Sequence, residues 1–319
     1  MKNQNLYEKC NLCPRSCQSD RLHGETGVCG TGSTLRIARA ALHFWEEPCI
    51  SGTKGSGAVF FSGCALHCVF CQNEPIARGM AGKLVPSGRL SEIFLELQEK
   101  GANNINLVTP GQYVPDIITA VESARNQGLL LPVVYNTGGY ESVDTLKMLE
   151  GIVDVYLPDF KYMDPSLAES FSHAKDYPAV AKAAVEEMVR QKPRCLFYDE
   201  APGGTDGKYT EYREGTLVRE GVIVRQLLLP GHLRDAKAIV RYLHETYGNR
   251  IYLSMMSQYT PLFHDRAAEF PELSRTVTRR EYERLLDYAI DLGVECAFIQ
   301  EGQTAKESYI PDFDSGEGV

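Results

Sequence analysis

Apolar and polar positions alternate in two rhythms along the chain. Residues 58–61 are a short β-branched and aromatic run bounded by glycines, the pattern of a buried strand. Leu90, Ile93, Phe94 and Leu97 then recur at helical spacing and stop at Gly101. The alternation returns with strands over 104–108, 130–135 and 152–157. Helices fall over 114–126, around Val143, Leu146 and Leu149, and over 177–191. CLFYDE reads as a strand, and residues 201–215 form a polar, glycine-rich excursion of a length that functional or mobile loops have. Strands over 221–229 and 250–255 flank a helix over 235–247. A helix over 278–293 and a strand over 294–299 follow.

Strand-helix units at intervals of roughly thirty residues predict an α/β fold. Six in succession are expected to curl into a partial parallel (β/α)6 barrel, residues 36–300, with its chemistry at the C-terminal ends of the strands. The polar residues do follow the strands: Gln72 and Asn73, Thr109 to Gln112, Asn136 to Gly139, Asp159 and Lys161, Arg225, and Ser257 with Gln258. Ahead of the first of these strands, residues 1–35 are cysteine-rich and residues 35–52 read as a strand and a connector. On that connector Trp45 is expected in the core, and Glu46 and Glu47 on a solvated face. Residues 301–319 form an acidic tail, expected to fray.

Composition narrows the partners. The 319 residues are 43% hydrophobic, enough for a substantial core. Lys+Arg 33 against Asp+Glu 42 leave a net charge of −9, which argues against nucleic acid or an anionic membrane as the main partner. No apolar stretch has transmembrane length and the N-terminus lacks a signal-peptide core, so a cytoplasmic protein is expected. Ten cysteines in a reducing compartment point to metal binding rather than disulfides. Cys49, Cys195 and Cys296 are scattered and read as small buried residues.

The others form two clusters. Cys64, Cys68 and Cys71 are spaced C-x3-C-x2-C on a loop just after the first strand. A 4Fe–4S cluster normally takes four thiolates, so three leave one iron free for a substrate. A structural zinc knuckle is the competing reading. Cys10, Cys13, Cys17 and Cys29 crowd a segment with few apolar residues, where a bound metal would be the main source of order. Four thiolates there suit a closed zinc or a fully ligated iron–sulfur cluster, and the spacing leaves both open.

At the three-cysteine loop, with Phe70 in its aromatic position, the chain resembles the radical SAM superfamily. It is most similar to the pyruvate formate-lyase-activating-enzyme-like branch. The motifs that carry this likeness are C-x2-C-P-R-x-C, ISGTKGSGAVFFSGC, INLVTP, YNTGGY, DVYLPDFKY and MSQY, over about residues 7–300. The resemblance implies a barrel of radical SAM type and a 4Fe–4S cluster on Cys64, Cys68 and Cys71 as the catalytic centre. It further implies reductive cleavage of S-adenosylmethionine (SAM) to a 5′-deoxyadenosyl radical that abstracts hydrogen. Phe70 would lie beside the adenine, Asn73 would also contact the cofactor, and Asn136, Asp159, Lys161 and Arg225 would hold ribose and carboxylate. Related activating enzymes carry G-G-E after the second strand to receive the methionine amine. Thr109-Pro110-Gly111 stands here instead, with Thr109 as the substitute acceptor. The implied partners are SAM, a reducing donor such as flavodoxin or ferredoxin, and a substrate that is either another protein or a small molecule. An iron–sulfur electron carrier without SAM chemistry and a zinc-stapled scaffold are the alternative functions.

Overall fold

The computed structural model describes residues 4–79, 81–199, 209–261, 269–299, 313 and 316–319. Residues 201–208 of the glycine-rich excursion and most of the acidic tail lie outside the described residues. Strand β1 (Leu35–His43) pairs antiparallel with β2 (Ser56–Phe61), and β3 (Lys83–Val85) pairs antiparallel with the other edge of β1. From β2 the sheet continues in parallel through β4 (Ile105–Val108), β5 (Val133–Thr137) and β6 (Val155–Pro158). Strand β7 (Leu196–Asp199) is an antiparallel flap on β8 (Thr216–Leu227). Parallel pairing resumes from β6 to β8 and on to β9 (Tyr252–Met256) and β10 (Ala297–Ile299).

The expected succession of parallel strands is therefore present, and it is an open sheet rather than a closed barrel. The strand path runs from β10 at one end to β3 at the other. Period-two alternation sends one set of side chains to each face. Val133, Tyr135, Tyr156, Val222 and Val224 join the large core beneath the helices. Val134, Val155, Leu157 and Ile223 enter a second cluster on the opposite face, with Cys49 and Ile50 of α1 (Pro48–Ser51).

Short α2 (Glu74–Ala77) follows the three-cysteine loop. Helices α3 (Ser87–Glu99), α4 (Val114–Asn126) and α5 (Val143–Met148) each bury one stripe, with Leu90, Phe94 and Leu97 on the first. Helix α6 (Pro165–Ser172) was not anticipated, although Asp164 caps Ser166 N–H and Pro165 opens the first turn. Helices α7 (Tyr177–Gln191), α8 (Leu233–Tyr247) and α9 (Arg279–Asp291) complete the layer. A capping box between Thr278 and Glu281 starts the last of them.

Two expectations about the margins are corrected. The described part of the tail is docked, not frayed. Strand β3 covers only Leu35–Ile37, so the outer edge of β1 needs other partners beyond that point. The Ala40 N–H donates to the Glu317 carbonyl at 2.8 Å, and Arg39 meets the Glu317 carboxylate at 2.7 Å. Phe313 packs edge-on against Phe60 at 5.4 Å. On the connector, the expected burial is reversed. Trp45 is 56% exposed, whereas the Glu46 and Glu47 side chains are only 8% and 4% exposed.

One close approach sets the position of the rim. Gly139, just past β5, has φ +76°, and a Cβ there would overlap the Asp159 carbonyl oxygen and lie 3.0 Å from Tyr177 Oη. Gly139→Ala is expected to cost about 2 kcal/mol or more. The left-handed backbone alone accounts for about 1–2 kcal/mol, and displacement of the Asp159 carbonyl adds to it. A urea midpoint unchanged from the parent protein would show that these two loops do not meet so tightly.

Candidate active site

Cys64, Cys68 and Cys71 lie on the loop between β2 and α2, at the C-terminal end of the strand. The loop is pinned from several sides. Gly63 has φ +94°, and a Cβ there would meet Thr31 Cγ2 at 2.5 Å and the Cys29 carbonyl at 2.8 Å. His67 adopts φ +50°, a conformation that ordered loops hold only when their surroundings impose it. Val69 N–H donates to the Phe171 carbonyl, and Ser172 Oγ lies 2.9 Å from Cys68 Sγ. Burial pushes the Cys64 and Cys71 thiols above their ordinary value, and the neighbouring Cys68 adds to each shift. Phe70 is buried edge-on against Tyr162, Phe171 and Tyr259, which fixes its ring plane.

These thiols open onto a cavity of about 340 Å³. Its wall draws on the C-terminal ends of the parallel strands: Thr109 after β4, Asn136 on β5, Asp159 and Lys161 after β6, and Arg225 on β8. Phe70 and Asn73 line it as well, so the three thiols and each cofactor-contacting residue expected from the sequence meet in one space. Trp45 and Ile299 also line it and are more than half exposed, which places them at its mouth. Thr109 has φ +55°, a rare state for a β-branched residue, and its N–H donates to the Asn136 carbonyl at 2.9 Å.

The charges inside the cavity are paired with one another. Lys161 Nζ donates to Asp159 at 2.5 Å. Burial works against the ammonium, yet Asp159 and then Cys68 more than offset it and hold its pKa above the ordinary lysine value. Arg225 is not free. Its guanidinium donates to both oxygens of Glu47, at 2.8 and 2.6 Å, and to Glu46 Oε2. Burial opposes the charged guanidinium, and Glu46 and Glu47 override it, so its pKa lies well above normal. Burial raises the Glu47 carboxyl, but Arg225 outweighs it and the net shift is downward. Asn106 and Asn136 donate to Glu46 Oε1 at 2.9 and 3.4 Å. The connector residues assigned to a solvated face are thus the counter-ions of a rim arginine.

The N-terminal cysteine segment is docked on the same loop. Arg15, between Cys13 and Cys17, donates to the carbonyls of Ala65, His173 and Ser172 at 2.9, 2.5 and 3.1 Å. Its guanidinium lies 5.2 Å from the centre of the Tyr140 ring. Gln112 Nε2 is shared among the carbonyls of Ser62, Gly63 and Thr109 and ties the end of β2 to that of β4. Gln112 was legible from sequence as a rim residue after the second strand, whereas Arg15 appeared only within the cysteine motif. The available signal was an arginine inside a cysteine motif and a buried glutamine after a strand. Cys10, Cys13, Cys17 and Cys29 surround a smaller cavity, into which Cys64 also faces. Glu141 lines it too. Burial raises its carboxyl to about 7, against hydrogen bonds from Thr137 and Tyr135. The scattered cysteines divide: Cys49 is buried, while Cys195 and Cys296 are half-buried.

No family model matches the chain. An uncharacterized protein of Methanocaldococcus jannaschii, MJ0674, is 27% identical over 293 residues, covering 90% of this chain and 75% of that protein. Two solved chains of SuiB from Streptococcus suis are similar in structure. The one bound to S-adenosylmethionine has a TM-score of 0.44 at 13% identity over 76% of this chain. The one bound to the precursor peptide SuiA has a TM-score of 0.47 at 12% identity over 76%. The match spans 46% and 47% of the two SuiB chains, less than half of their length. These similarities are too distant to assign a family.

Proposed function

We propose that the protein is a radical SAM enzyme whose active site is the cavity at the C-terminal rim of the parallel sheet. The observation that carries this reading is the meeting of Cys64, Cys68 and Cys71 with Asn136, Asp159 and Lys161 around one space of about 340 Å³. The donor set fits the group. Three thiolates on one loop suit a 4Fe–4S cluster with one iron unligated. When bound, the cluster and SAM supply an electron and a 5′-deoxyadenosyl radical that removes a hydrogen atom from the substrate.

The chain's own part is to bind, orient and keep water out. SAM carries a sulfonium, an ammonium and a carboxylate. With Arg225 neutralised by two glutamates, the carboxylate falls to Lys161. Asn136 and Asp159 provide the donor and acceptor that ribose hydroxyls require. Glu46, held by Asn106 and Asn136, supplies the carboxylate that Thr109-Pro110-Gly111 lacks, and the ammonium group is its natural partner. Three carboxylates (Glu46, Glu47, Asp159) against two cations (Lys161, Arg225) leave the wall negative, which favours a ligand with a sulfonium. Phe70, fixed by its aromatic neighbours, presents a rigid apolar edge for a base.

Anaerobic reconstitution with iron and sulfide, followed by SAM and dithionite, tests the reading by chromatography of 5′-deoxyadenosine. The wild-type protein is expected to form it and Cys68→Ala to form none while keeping its melting temperature. A Cys68→Ala protein that cleaves SAM at the wild-type rate would remove this loop from the chemistry.

The two cations separate under mutation. Lys161→Gln is expected to weaken SAM binding by about 1.5–3 kcal/mol in calorimetry, the worth of a charge-assisted hydrogen bond. Arg225→Gln is expected instead to lower stability by about 3–5 kcal/mol, because it strands two buried carboxylates. If Arg225→Gln melts like the parent but loses SAM, the arginine binds ligand and the structural role fails.

A further inference from the structure

The structure assigns a second cofactor site, built from a different set of cysteines, although Cys64 of the three-cysteine loop borders its cavity. We propose that Cys10, Cys13, Cys17 and Cys29 hold an iron–sulfur cluster, with Arg21 as its buried counter-ion. The proposal stands whatever the three-cysteine loop does.

Three independent features meet here. First, the four cysteines line one cavity of about 40 Å³. A water needs roughly 10–15 Å³ of such space, so the thiols surround room for more than one small occupant. Second, the backbone is bent to bring them round. Ser16 and Gln18 adopt φ +42° and +57°, and Gln18 N–H returns to the Cys10 carbonyl. Gly27 is kept bare, since a Cβ there would stand 3.3 Å from Cys29 Sγ and 3.5 Å from Cys17 Sγ.

Third, Arg21 is 1% exposed and has no carboxylate partner among the described residues. Its hydrogen bonds go to the carbonyls of Thr31, Gly32 and Gln112, to Thr31 Oγ1, and to Cys10 Sγ at 3.5 Å. The rings of Tyr7 and Tyr113 flank it at 4.8 and 5.7 Å. A buried guanidinium needs negative charge nearby, and the thiolates of a metal-bound centre are the groups in place to provide it. An iron–sulfur cluster is wider than a single ion and takes its ligands at separate corners, which suits the room among these four thiols.

The test begins with the full chain reconstituted anaerobically with ferrous iron and sulfide, with zinc present as competitor. A Cys64→Ala, Cys68→Ala, Cys71→Ala triple variant is expected to retain about two or four iron atoms per chain with matching sulfide. On reduction it should give a paramagnetic signal of its own. Cys13→Ala with Cys17→Ala, in an otherwise wild-type chain, is expected to lose that same increment of iron and that signal. Arg21→Gln should make the remaining centre in the triple variant harder to reduce, and Arg21→Lys should restore it. One zinc and no iron in the triple variant would overturn the cluster, as would equal iron in the wild-type and Cys13/Cys17 proteins. A reduction potential indifferent to Arg21→Gln would overturn the counter-ion. Should the triple variant fail to fold, the iron difference between the wild-type and Cys13/Cys17 chains decides alone.

Discussion

The ion cluster of Glu46, Glu47 and Arg225 governs how this molecule is put together. A guanidinium on the inner face of a parallel sheet is too expensive to bury alone. The chain answers by driving a connector into that face and offering two carboxylates to one cation. Because the partners are 178 and 179 residues apart in sequence, the contact fixes the early connector against a late strand. Asn106 and Asn136 take up the remaining acceptor, so four separate chain segments are locked by one polar knot. The same knot forms one wall of the cavity, which makes the shape of the site a by-product of satisfying the buried charge.

Opposite that wall, the three-cysteine loop is held by groups that belong to neither strand nor helix. Gln112 spans the ends of β2 and β4, Arg15 reaches the loop and the end of α6, and Gly63 lets the N-terminal segment approach. Each is a side chain or bare α-carbon meeting backbone carbonyls. That is an economical way to hold an irregular loop whose own hydrogen-bonding groups have no ladder to join. Catalytic loops on rigid scaffolds gain their precision in this manner.

Much of the architecture was legible because it rests on local pattern. The helices over Ser87–Glu99, Val114–Asn126 and Tyr177–Gln191 follow from their apolar stripes, and the strands from short branched runs between glycines. The rim residues were legible for a topological reason: in parallel sheets, whatever follows a strand lands on the same side. What escaped notice depends on distant partners. Glu46 and Glu47 look like ordinary surface acids until Arg225 is placed above them, and Trp45 looks like core until the connector is seen to turn its neighbours inward. Strand β3 is three residues long and has no periodicity to read. The docked tail answers an unpaired stretch of β1, a need visible only once β3 is known to be short.

The attachment of the N-terminal segment has a consequence for biosynthesis. Leu12 is bound by Thr145, and Arg15 by the carbonyls of Ala65, Ser172 and His173, up to 158 residues downstream. The segment leaves the ribosome ahead of its docking surface, which does not exist until α6 has emerged. At roughly 5–20 residues per second, its thiols stay unshielded for about 8–30 s in each round of synthesis. These cysteines are therefore made well before the surface that shelters them, and are open to oxygen or stray metal ions in the interval.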